Sequence, residues 1–134
     1  MSSQLTDKTG EHVAVSVELS DRVGAYVVTL ADGSTAGRAQ FVDMPGAAAN
    51  ERIFFHTEVD PRFGGRGLSG VLVREALVDS IRAGFGVVPV CPLFAAHLKT
   101  RGTEFLADGG VFRRPTPDDL SLISQHIRRH PDKA

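Results

Sequence analysis

Apolar and polar residues change their period several times along this chain, and each change marks an element. From His12 to Leu19, HVAVSVEL, apolar residues alternate with polar ones, the period of a half-buried strand. SDRVG supplies turn residues, and Ala25 to Leu30 (AYVVTL) reads as a second strand. Asp32-Gly33-Ser34 is a tight-hairpin signal before a third strand over Ala36 to Met44. Pro45 to Arg52 is a loop of small residues. Ile53 to Val59, IFFHTEV, is β-branched and aromatic and predicts a fourth strand. The period then becomes helical. Leu68, Leu72, Ala76, Leu77 and Ile81 share one face of Leu68 to Ala83, Arg74, Glu75, Asp79 and Arg82 lie largely on the other, and Gly84 is a stop. Gly86 to Cys91 (GVVPVC) predicts a fifth strand, and Leu93 to Arg101 a second helix. Thr116-Pro117-Asp118-Asp119 combines a cap, a first-turn proline and two acids. It opens a last helix with an apolar stripe of Leu120, Ile123 and Ile127. The pattern assigns no element to Gly102 to Pro115.

This order predicts a mixed α/β fold. Antiparallel strands one to four precede a parallel strand–helix–strand–helix unit, in one domain over residues 11–134 behind a polar, flexible stretch over residues 1–10. The β-α-β connection makes the fourth and fifth strands parallel neighbours. Val59 and Cys91 then end at one edge of the sheet, where such units receive ligands.

Composition narrows the classes. A chain of 134 residues with 42% hydrophobic positions fits one globular domain. A net charge of -1 offers no electrostatic footprint for nucleic acid or a membrane surface. The single cysteine excludes an internal disulfide framework and a cysteine-built metal centre, so no metal is expected. The polar start, MSSQLTDKTG, lacks the apolar segment of a signal peptide, and the apolar runs are too short to span a bilayer. These features predict a soluble, cytoplasmic protein.

The densest chemistry lies in Glu58 to Gly70, EVDPRFGGRGLSG, a glycine-rich turn between a predicted strand and a predicted helix. It lacks the Lys-Ser/Thr pair of a P-loop. Gly65 to Gly70 match G-x-G-x-x-G, but Phe85 to Pro92 contain no acid to hold a ribose hydroxyl. Arg62, Gly65 and Gly67 also form R-x-x-G-x-G, a turn whose bare N–H groups, backed by a helix N-terminus, suit an anion. Arg66 would add a fixed positive charge. The plainer reading is a sharp turn that needs glycine.

Val59-Asp60-Pro61-Arg62-Phe63-Gly64-Gly65-Arg66-Gly67-Leu68 resembles the acetyl-CoA loop of the GNAT superfamily of N-acetyltransferases, V-x-P-x-[YF]-x-G-x-G-[ILV]. His56 to Val59 and Val88 to Pro92 are similar to a minimal single-domain branch with a cysteine ending the fifth strand. The resemblance covers Ile53 to Arg101. It implies a GNAT-like fold and acetyl-CoA as cofactor, with the pyrophosphate on the amides of Phe63 to Leu68. The implied cofactor-binding set is Val59, Arg62, Phe63, Gly64, Gly65, Arg66, Gly67, Leu68 and Ser69. The pantetheine arm would run between the splayed ends of strands four and five. Pro89 agrees, because proline is excluded from a fully paired central strand.

Acetyl transfer to an amine needs a base for the amine, a donor for the oxyanion and a proton for the leaving thiolate. Period two places Phe54, His56 and Glu58 on one face of the fourth strand. Glu58 is a candidate base, directly or through water, or a surface carboxylate. His56 is a second candidate, since imidazole is the side chain suited to proton transfer near neutral pH, or a structural histidine. Cys91, just before a helix N-terminus that favours thiolate, is a candidate nucleophile, a thiol lining the acetyl pocket, or a small buried hydrophobe. The tyrosine that the resemblance implies as general acid is missing. His97 stands near its place, the only tyrosine is Tyr26, and solvent is left to supply the proton. Arg113-Arg114 and Arg128-Arg129 read as solvated faces. SDRVG is too short to build an acceptor site, so the acceptor is expected at an open site, as a protein, peptide or small amine. The alternative is a non-catalytic acyl-CoA-binding or regulatory module. An exposed edge strand leaves monomer and homodimer open.

Overall fold

Six strands lie in one sheet in the order in which they occur in the chain: β1 (Ser3–Thr6), β2 (His12–Glu18), β3 (Gly24–Leu30), β4 (Thr35–Met44), β5 (Glu51–Val59) and β6 (Gly86–Pro89). The computed structural model describes residues 3–20, 23–46 and 48–128. Pairing is antiparallel from β1 to β5 and parallel between β5 and β6. Helix α1 (Leu68–Ala83) makes the crossover, and α2 (Pro92–Ala107) and α3 (Pro117–Arg128) follow. The predicted fourth and fifth strands are thus β5 and β6, in the mixed α/β architecture expected. Among the described residues, no helix is long and apolar enough to cross a membrane.

Two apolar clusters place the layers. The larger packs α1 and α2 on one sheet face through Leu72, Ala76, Phe94 and Leu98 against Tyr26, Val28, Phe41 and Phe54. Phe54 stacks on Phe94 with ring centroids 4.2 Å apart, tying β5 to α2. The smaller joins Ile123 of α3 to Val42, Ile53 and Val88 on the opposite face.

One irregularity decides which way β5 side chains point. The β4–β5 register pairs Gln40 with His56 but Phe41 with Phe54, which leaves Phe55 as an extra residue. Such a bulge breaks the alternation of faces. Phe54 therefore enters the α1–α2 core, whereas Phe55 packs toward the α3 side. The expectation that Phe54, His56 and Glu58 share a face is corrected here: His56 and Glu58 stay together, and Phe54 faces the other way.

Other departures have local causes. Residues 3–6, expected to be loose, form β1, because pairing with His12 to Val15 satisfies their backbone. Strand β6 ends at Pro89 rather than Cys91, since the N–H groups of Val90 and Cys91 both donate to the Phe54 carbonyl, at 3.0 and 2.8 Å. Helix α2 continues past its predicted end through a non-helical Arg101. The unassigned stretch after it returns to β6, with Val87 bridging Phe112.

Helix α3 buries Asp119 and Ile123 and exposes Leu120 and Ile127, so its inward face is rotated from the predicted stripe. Asp119 fixes that rotation. Its carboxylate accepts the Thr116 N–H at 2.7 Å as a cap and two bonds from Arg113, which also reaches Glu51. Arg113 is therefore part of a half-buried ion network rather than a solvated face. The Arg128 side chain and Arg129 lie outside the described residues.

Candidate functional site

The turn from β5 to α1 is held by its own carboxylate before glycine shapes it. Asp60 accepts the Arg62 N–H at 2.9 Å and caps a short 3-10 turn over Pro61–Phe63. Gly65 and Gly67 then take left-handed φ of 80° and 74°, a region that strains residues with a Cβ. Gly67 is the N-cap of α1, without a side-chain cap. Among the described residues, no backbone N–H from Gly65 to Gly70 donates to a protein acceptor. A run of free amides on a helix N-terminus suits a phosphate anion.

The loop arginines are already partnered. Arg62 lies against Asp60 at 2.8 Å, and the Arg62 bonds hold the Asp60 carboxyl below its usual range. Arg66 donates to buried Asp7 at 2.5 Å. Bonds from Thr9, Arg66 and the Thr9 and Glu11 amides hold the Asp7 carboxyl well below the carboxylate range. The Lys8 N–H also donates to the Arg66 carbonyl at 2.8 Å. Instead of a spare charge, Arg66 is a strut between the β1–β2 turn and the glycine loop. The loop's unpaired donors, among the described residues, are therefore its amides.

Beyond Phe54, β5 has no pairing with β6. The strands part there, and a cleft of ≈ 180 Å³ opens over Thr57, Glu58, Val59, Phe63, Gly65 and Ser69. Leu93 closes its far side. Gly64, Gly67 and Leu68 border the same cleft, so seven of the nine predicted loop residues line it, while Arg62 and Arg66 do not. Cys91, 3% exposed, is the N-cap of α2 and does not line the cleft; its Sγ lies 3.3 Å from Oγ1 of Thr57, which does. Among the described residues, no cluster of His, Cys, Asp or Glu could hold a metal.

A wider groove of ≈ 570 Å³ lies on the opposite face of β5. Arg38, Gln40, Phe55, His56 and Glu58 form its floor, and Glu18, Leu19 and Ile127 stand at its margins. His56 Nε2 is 3.0 Å from Glu58 Oε1, and both side chains are exposed. Glu58 borders the cleft as well as the groove, the one residue of the two predicted bases to do so. Tyr26 is remote from this site. Its hydroxyl bonds Asp79 and Arg52 under α1, where burial and Asp79 push its pKa up. His97 sits on α2 with its pKa lowered by burial, then by Arg101 and Arg74.

Sequence reasoning missed Asp7, Lys8 and Thr57. Thr57 lies inside the recognised motif. Asp7-Lys8-Thr9 carries an Asx-turn signature, but nothing local connects it to a loop 59 residues away.

The sheet, the parted strands and the glycine turn define an α/β domain with a cleft and a run of free amides at one end of β5. A family profile described as GCN5-related N-acetyl-transferase matches residues 25–108. That is more than half of the chain, and the chain belongs to this family. Among solved structures, a ribosomal-protein-alanine N-acetyltransferase from Brucella melitensis biovar Abortus 2308 is similar at 17% identity, with a TM-score of 0.45. The match covers 79% of this chain and 65% of that one, so it spans less than two thirds of that protein's length. No curated protein matches the sequence.

Proposed function

We propose that this protein is an acetyl-CoA-dependent N-acetyltransferase acting on a primary amine. The observation that carries the reading is Glu58, which borders both the cleft beside the glycine loop and the groove on the far face. On this reading, donor and acceptor chambers meet across one residue of β5, whose carboxylate lies beside His56 on the groove side.

The residues fit acetyl-CoA through the free amides of Gly65 to Gly70, which would hold its pyrophosphate. Val59, Arg62, Phe63, Gly64, Arg66, Leu68 and Ser69 complete the binding set, Arg62 and Arg66 by fixing the loop rather than by spare charge. When bound, acetyl-CoA supplies an acetyl group as an activated thioester. Glu58 would attract the ammonium form of the acceptor, and with His56 Nε2 3.0 Å from Glu58 Oε1, either side chain would take the amine proton, directly or through water. Cys91, in contact with the cleft residue Thr57, would serve as acyl-accepting nucleophile or as a wall of the acetyl pocket.

Calorimetric titration with acetyl-CoA, with NADH as control, tests the reading. Micromolar binding of acetyl-CoA alone is expected. Gly67→Val should abolish it, because φ of 74° strains a branched residue and the new Cβ would meet the Lys8 Cβ at 3.2 Å. No acetyl-CoA binding would sink the proposal. Binding without CoA release by any amine would leave an acyl-CoA-binding module.

A further inference from the structure

We infer that the diphosphate of the donor is held by two cations that lie outside the glycine motif, Lys8 of the β1–β2 turn and Arg74 of α1. The inference rests on the acetyltransferase reading and adds the positive charge that free amides alone do not supply.

The loop's own arginines are spent on carboxylates. Arg62 faces Asp60 at 2.8 Å, and Arg66 faces Asp7 at 2.5 Å. Lys8 and Arg74 are exposed, and among the described residues neither forms an ion pair.

Each cation lies against a glycine at the start of α1. A Cβ on Gly67, the N-cap, would stand 3.2 Å from Lys8 Cβ and 3.9 Å from its Cδ, so the lysine stem runs over that α-carbon. A Cβ on Gly70 would stand 3.1 Å from Arg74 Nη1, so the guanidinium folds back one turn toward the helix start. Gly70 has no positive φ, and the room its missing side chain leaves is where the guanidinium lies. The two side chains thus flank the free amides of Gly65 to Gly70. Cations at a helix N-terminus oppose the macrodipole, an arrangement that an anion between them relieves. A diphosphate matches the set, with bare oxygens for the amides and two negative charges for the two cations.

The test uses the full chain and three probes: acetyl-CoA, dephospho-CoA and inorganic pyrophosphate. Lys8→Gln and Arg74→Gln keep part of each stem at exposed positions, and the Lys8 N–H keeps its bond to the Arg66 carbonyl, so the fold is undisturbed. Each variant should raise the calorimetric Kd for acetyl-CoA about tenfold, the loss of one charge-assisted contact. The loss should shrink in ~1 M salt, where charges are screened beyond about 3 Å. Dephospho-CoA carries the same diphosphate and should suffer the same losses, and Lys8→Arg should restore most of the affinity. Pyrophosphate should shift the amide NMR signals of Gly65 to Gly70 in the unaltered chain and much less in the double variant. A Kd unchanged by either substitution, a loss indifferent to salt, or a loss seen with acetyl-CoA but not with dephospho-CoA would each overturn the assignment. Failure of the unaltered chain to bind acetyl-CoA, with pyrophosphate still shifting those amides through Lys8 and Arg74, would instead bring down the donor reading and leave the two cations as an anion site. Failure of both probes would overturn both.

Discussion

Cys91 shows how much one position can be asked to do. It is nearly buried, sits at an N-cap without bonding the helix through its side chain, and its sulfur has the Thr57 hydroxyl as neighbour. Removing the sulfur leaves a small void, which costs about 1 kcal/mol in stability by the usual penalty for truncating a buried side chain by one heavy atom. The free amides proposed to hold the pyrophosphate lie elsewhere, from Gly65 to Gly70. Cys91→Ala is thus expected to lower kcat at least tenfold if the thiol takes part in transfer, with acetyl-CoA affinity changed less than threefold. Calorimetry and thiol-release kinetics on the same preparation check both halves. Unchanged turnover would reduce Cys91 to packing.

At the scale of elements, the β1–β2 turn and the glycine loop behave as one unit. Asp7 gathers Thr9, the Glu11 amide and Arg66, and the neighbouring Lys8 amide binds the loop backbone. Asp7→Asn would leave the turn but weaken the strut, so acetyl-CoA affinity should drop about fivefold, the low end of coupling between sites. An unaltered Kd would show that the loop holds its own shape. This coupling was not legible beforehand, and the reason is distance along the chain. Strands β2 to β5 and helix α1 declare themselves through local periodicity, and the cradle declares itself through glycines beside a helix start. Pairing of residues 3–6 depends on a partner strand, and Arg66 meets its acid only after the sheet has formed. The bulge was equally silent, because Ile53, Phe54 and Phe55 are all apolar and any of them suits either face. The last helix misled for another reason: its inward side is anchored by a carboxylate, Asp119, which a hydrophobic pattern counts as outward.

For the whole molecule, two carboxylates link stability to acid. Arg113 and the Thr116 N–H hold the Asp119 pKa down, and Thr9 and Arg66 do the same for Asp7. Lowered native pKa values mean that the unfolded chain binds protons first as pH falls. The stabilisation is complete above the ordinary carboxylate range near about pH 4 and is lost as pH drops through it toward the native values. His97 adds an earlier, smaller loss as pH falls below its ordinary range, since burial disfavours its charged form in the fold. Thermal melts from pH 7 to pH 3 should show a shallow decline and then a steep one, with Tm falling several degrees across the second. Asp119→Asn should flatten the steep part, and a melt unchanged by pH would remove the ion network from the account. The placement of Glu58 between two openings has a kinetic consequence. On the acetyltransferase reading, a cleft and a groove on opposite sides of one strand give each reactant its own door. Neither must leave before the other enters, and either can arrive first. Initial-rate plots at several amine concentrations should therefore intersect, with free CoA competing against acetyl-CoA and not against the amine. Parallel lines would mean that the acetyl group changes hands twice, with Cys91 holding it between visits.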